Sequence, residues 1–121
     1  MAWQFNGNES VYLQIVRRLR GDILVGKYPP DSQIPSVRQL AFEAAVNPNT
    51  MQKALSCLEA EGILYTKGTL GRFVTSDANV LSRERERMRR EAVKGWITQA
   101  REMGISKEEL IAYMQKEDET V

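Results

Sequence analysis

The chain has 121 residues, 42% of them hydrophobic and 27% charged, with a formal net charge of +1. That length allows one domain with a modest core, or a small domain plus an appendage, and the near-neutral balance excludes a polybasic protein, so any nucleic-acid binding must come from local clustering of charge. One cysteine and no histidine exclude an internal disulfide and argue against Cys/His zinc sites and His-based triads, so neither a metal nor another cofactor is expected.

The opening stretch MAWQFNGNES lacks the basic, apolar, small-residue order of a secretory signal. No apolar run further on approaches the roughly 20 residues that span a bilayer. A cytoplasmic protein with no membrane partner is expected. Ser10 is placed to cap a helix over residues 11–25, where Val11, Ile15, Leu19 and Ile23 recur every fourth residue. Tyr12 and Val16 widen that stripe, and Arg17, Arg18 and Arg20 lie off it. Gly26 and the paired prolines of GKYPPDSQIP stop it.

A second helix begins after Ser36, which stands three residues before Gln39 in a capping-box spacing. Val37, Leu40, Ala41 and Ala44 give it one apolar face. Only Ala45, Val46 and Asn47 separate it from a third helix, in which Asn47 is a good N-cap and Pro48 suits the first helical position. Met51, Ala54, Leu55 and Leu58 repeat the same apolar spacing, and Gly62 ends it. Two short amphipathic helices joined by so short a turn make a helix-turn-helix. Next, ILYT and RFVT flank KGTLG, a hairpin signature with Gly68 and Gly71 in the connector. The fold expected is mainly α with a small β-hairpin: a winged helix-turn-helix over residues 1–76.

Composition shifts near residue 76, and residues 77–121 are expected to form a separate helical dimerisation segment. The run 83–90 holds five Arg and two Glu, and the interleaved acids point to ion pairing along a solvated helix rather than a DNA patch. From Met88 onward, Val93, Trp96, Ile97, Ala100 and Met103 form one apolar stripe that Gly104 closes. Ser106 and Glu109 then form a capping box for a last helix, with Ile105 and Leu110 as its hydrophobic staple. Leu110, Ile111, Tyr113 and Met114 give that helix an apolar face. Two such helices bury little between themselves, so their surplus apolar surface invites a second copy of the chain.

In a helix-turn-helix the second helix enters the major groove and reads base edges with its first residues. Asn47, Asn49, Thr50, Gln52 and Lys53 crowd that position, and Asn and Gln suit bidentate contact with adenine. Free N–H groups at that helix start are expected to help hold a phosphate. Arg38, on the preceding helix, is placed to clamp a phosphate or reach a guanine, or else to pair with Glu43 or Glu59. Lys67, Gly68, Thr69 and Arg72 surround the hairpin tip, where flanking backbone would lie. Cys57 reads as a structural thiol. The function expected is a homodimeric, sequence-specific binder of double-stranded DNA at a palindromic operator. The alternative is a winged-helix protein adaptor, which the fold alone does not separate from it. No residue pattern supports an enzyme, and none points to a small-molecule effector, although one is compatible with the chain.

GKYPPDSQIPSVRQLA, VNPNTMQKALSCLEAEGIL and a glycine-containing wing ending in FV resemble the GntR family of bacterial transcription regulators. The opening VYLQIVRRLRGDILVG is similar to that family's first helix, and VNPNT with the short tail is similar to its YtrA-type subfamily. The resemblance implies a dimeric regulator, usually a repressor, often of transport operons, with DNA contact at Arg38, Asn49, Thr50, Gln52 and around Gly68. The wing departs from the family's usual GxGTFV: Thr69 replaces a glycine and Arg72 the threonine, so Arg72 is expected to add a phosphate contact.

Overall fold

The structure is a computed structural model and describes residues 2–118. The fourfold recurrence of the first stripe builds helix α1 (Val11–Leu24), which buries Ile15, Val16, Leu19, Ile23 and Leu24. Arg20 does not lie clear of the packing as its place off the stripe suggested; it reaches Glu61, beyond the third helix. Ser36 accepts a bond from the Gln39 amide at 3.1 Å and starts helix α2 (Val37–Ala44). The reciprocal half of that capping box is not made, because the Gln39 side chain turns to Glu43.

Ala45, at φ +58°, reverses the chain between α2 and helix α3 (Pro48–Ala60). On α3 the apolar spacing is borne out in full: Met51, Ala54, Leu55 and Leu58 have no exposed surface. They meet Ile15 and Leu19 of α1 and Leu40 of α2 in one buried core, closed below by Ile63 and Val74.

Strands β1 (Leu64–Thr66) and β2 (Arg72–Val74) pair antiparallel, with Leu64 opposite Val74 and Thr66 opposite Arg72. A 3-10 turn, Gly68–Leu70, fills the connector. Residues 31–34, read from sequence only as a helix-stopping loop, run along the other edge of β2. The Asp31 amide donates to the Val74 carbonyl at 2.9 Å, Val74 to Ser32 at 2.9 Å, and Ile34 to Arg72 at 3.0 Å. Gln33 bridges to Phe73. A segment this short, next to two prolines, carries no alternating pattern, and its partner lies far along the chain.

Helix α4 (Ala78–Glu102) begins well before Met88, because the Asp77 carboxylate caps it, accepting from the amides of Asn79 (2.9 Å) and Val80 (3.3 Å). The described residues fall into two compact units that part between Arg85 and Glu86, beyond the boundary expected at residue 76. The first turns of α4 belong to the winged unit: Leu81 is buried there, and Arg85 Nε donates to the Leu24 carbonyl at 2.9 Å. In the second unit the rest of α4 precedes helix α5 (Lys107–Asp118), whose capping box is complete. The Glu109 amide donates to Ser106 Oγ and the Ser106 amide to Glu109 Oε1, both at 3.1 Å. The Ser106 amide, and with it the Ser106 hydroxyl, holds the Glu109 carboxyl below its usual range. Among the described residues no helix is long and apolar enough to cross a membrane.

Candidate nucleic-acid interface

The interface is built on α3. Packing its apolar stripe against α1 and α2 turns Asn49, Gln52 and Lys53 outward at its N-terminal end. Among the described residues, the side chains of Asn49 and Gln52 make no hydrogen bond within the protein, so both amides are free to meet base edges. Thr50 is half-buried beside them. Arg38, exposed on α2, has no ion-pair partner among the described residues. Glu43 accepts from Gln39, and Glu59 is taken by Arg72.

The start of α3 is satisfied from within, contrary to the expectation of free N–H groups there. Asn47 Oδ1 accepts from the Asn49 amide at 2.8 Å, its carbonyl accepts from Thr50 and Met51, and Pro48 has no N–H to offer. Asn47 therefore serves first as the cap, with its side-chain NH2 left for a ligand.

The free amides lie instead at the start of α1. Ser10 makes no side-chain capping bond, and the amides of Val11, Tyr12 and Leu13 have no acceptor among the described residues. Ser10, Val11 and Tyr12 border a notch of about 400 Å³ whose other wall is Asn49, Thr50 and Lys53. Lys53 leans into it, its Nζ 3.9 Å from the centre of the Tyr12 ring. A helix N-terminus, a hydroxyl and an ammonium around one hollow suit a phosphate. Ser10 and Tyr12 carry no sequence signal for this surface: by spacing one is a cap and the other is packing. An unused cap carries no mark in the sequence.

On the wing, Lys67 and Thr69 are exposed, and Gly68 turns the tip at φ +54°. Lys67 Nζ stands 5.2 Å from the centre of the Phe73 ring, which stacks on Tyr65. Tyr65 in turn donates to Asp31 Oδ1 at 2.6 Å, and that bond raises the phenol above its usual range. Arg72 is placed differently from expectation. Its guanidinium turns away from the tip to Glu59 on α3, where Nε donates to Oε1.

The tail residues divide as well. Ala100 is buried, Met88, Ile97 and Leu110 are partly covered, and Val93, Trp96, Met103, Ile111, Tyr113 and Met114 are exposed. Along the 83–90 run, Arg90 pairs with Glu86 at 3.0 Å. Cys57 is half-buried against the Glu61 carboxylate. Among the described residues no group of three or more Asp, Glu or Cys is placed to hold a metal.

Residues 11–74 match the family described as bacterial regulatory proteins, gntR family. The chain is 35% identical over 101 residues to the transcriptional repressor YtrA of Bacillus subtilis, covering 83% of this chain and 78% of that one. In three dimensions it is similar to a GntR family transcriptional regulator from Listeria monocytogenes, with a TM-score of 0.84 and 31% identity over 93% of this chain and 98% of the other. The DNA-binding domain of AraR, solved in complex with operator ORX1, matches at a TM-score of 0.54 and 31% identity, over 60% of this chain and 93% of that domain.

Proposed function

This chain belongs to the GntR family of bacterial regulatory proteins, and from that premise we propose that it is a homodimeric repressor that reads a two-fold symmetric operator. It is a transcription regulator with a winged-helix DNA-binding unit. The observation that carries the finer reading is the pair of unengaged amides, Asn49 and Gln52, at the exposed front of α3. A buried stripe fixes their direction, and the notch that Lys53 leans into lies beside them. In this reading Asn49, Gln52 and Arg38 meet base edges. Thr50, Lys53, Lys67 and Thr69 meet backbone, and Gly68 lets the wing tip approach it.

The second unit supports the dimer. Of its described residues only Ala100 is a buried hydrophobe, while Trp96 is 53% and Met103 72% exposed. Two helices with so small a core need a further apolar surface, and a second copy supplies one by symmetry. Two reading heads then sit on half-sites about one helical turn apart, or a multiple of it. Repression is proposed from the likeness to the repressor YtrA, and a transport operon as the regulated unit from the family resemblance. Its place of work is then the cytoplasm.

The test is selection from a random DNA pool with the purified protein, followed by binding of the enriched sequence over a salt series. The expected result is one enriched motif with two-fold symmetry and an affinity that falls steeply with salt. Enrichment of no motif, with a stable protein partner captured instead, overturns this reading in favour of an adaptor.

A further inference from the structure

We propose that Arg72 and Glu59 form a brace that sets the wing against the recognition helix, so that Arg72 serves DNA binding by positioning and touches no phosphate. This rests on the function proposed above. Arg72 is the first residue of β2, opposite Thr66, and Glu59 lies in the last turn of α3. The two side chains are only 16% and 30% exposed. A phosphate contact needs a guanidinium open to solvent. Here the guanidinium is largely covered, and an approaching phosphate meets the Glu59 carboxylate as well, which offsets the attraction.

A two-stranded hairpin is marginal by itself and takes its position from what ties it down. Besides the backbone bonds that join residues 31–34 to β2, this wing has two side-chain ties at its outer end. Its second strand is held to α3, at the tip-side end, by the Arg72–Glu59 pair. Its tip is held to the 31–34 segment by Gln33 Nε2, which donates to the Leu70 carbonyl at 2.5 Å. Gly71 is needed for that second tie: at φ +119° a side chain is strained, and a Cβ there would stand 2.9 Å from Gln33 Nε2. Lys67, Gly68 and Thr69, the residues proposed to approach DNA, immediately precede the two tied residues, Leu70 and Arg72. The Arg72 tie ends on the same helix that presents Asn49 and Gln52, so wing and reading head are held in one frame. A frame set before binding spares the ordering cost when DNA arrives.

The test uses the full chain with its selected DNA over a salt series. Arg72→Ala and Glu59→Gln are each expected to weaken binding by roughly five- to tenfold at every salt concentration, with the slope of affinity against salt unchanged. The exchanged pair, Arg72→Glu with Glu59→Arg, is expected to recover most of the loss. A fall of about one in the salt slope for Arg72→Ala, with Glu59→Gln binding as well as or better than the unmodified chain, identifies a phosphate contact and overturns the brace. Unchanged binding in both single variants overturns it too. Amide hydrogen exchange in the free protein separates this inference from the function beneath it. The Lys67 and Leu70 amides, bonded to the Gly71 and Lys67 carbonyls, are expected to exchange faster in Arg72→Ala. Faster exchange with no DNA preference in the unmodified chain would sink the regulator reading and leave the brace standing. Unchanged exchange would sink the brace.

Discussion

Arg20 of α1 and Glu61 at the end of α3 meet through two bonds, Nε to Oε1 at 2.9 Å and Nη2 to Oε2 at 2.6 Å. Both side chains are about three-quarters covered or more, and the hydrogen bonds to Glu61 raise the guanidinium above its usual range. The pair fastens the two helices that flank the notch, from the end opposite to it. Arg20→Ala is expected to cost roughly 1–3 kcal/mol, since it strands a partly covered carboxylate. A urea midpoint that does not move would show that the pair contributes nothing.

Asn47 and Asn49 separate stability from recognition within two residues. Asn47→Ala removes the cap of α3 and is expected to cost about 1 kcal/mol, whereas Asn47→Asp keeps it. Asn49→Ala removes no bond made by its own side chain, and its stability is expected within about 0.5 kcal/mol of the unmodified chain. Its DNA binding is expected to weaken and to discriminate less at one base pair. Equal losses of stability in the two alanine variants would contradict this division.

Arg38 is exposed and unpaired among the described residues. Arg38→Ala is therefore expected to leave the melting temperature in place. If the guanidinium meets a base, binding falls by roughly 1–3 kcal/mol and specificity relaxes at that position. Binding that stays unchanged would remove Arg38 from the interface.

Trp96 is the largest exposed apolar side chain of the second unit. Trp96→Asp would set a charge in the proposed dimer contact, and sedimentation is expected to show monomer at concentrations where the unmodified chain is dimeric. A chain that is monomeric before any substitution would end the dimer proposal.

Acid should loosen the start of α5. The Glu109 carboxyl is held below its ordinary value of 4.5 by its bonds to Ser106. The capping box therefore contributes fully above 4.5 and is lost as pH falls through the lower folded-state value. The Ser106 amide resonance is expected to titrate with a midpoint under 4.5, and Glu109→Gln, which still accepts that bond, is expected to abolish the titration. A midpoint at or above 4.5 would contradict the depressed carboxyl.

What the chain declares by itself is what lies within a turn or two of each residue. The stripe of Met51, Ala54, Leu55 and Leu58, the caps at Ser36 and Asn47, the reciprocal Ser106–Glu109 box and the glycines of the wing all act over three or four positions, so helices, turn and hairpin could be read directly. Asp77 carries the same kind of signal, but the Arg/Glu run from residue 83 offers no apolar stripe to mark the helix it starts. The rest needed the chain to fold. That residues 31–34 would join β2, that Arg72 would turn from the tip to Glu59, and that Lys53 would lean over Tyr12 depends on partners 13 to 43 positions away. Side chains of this kind pair with whatever the packing of α1 against α3 brings within reach, and no local spacing records that choice.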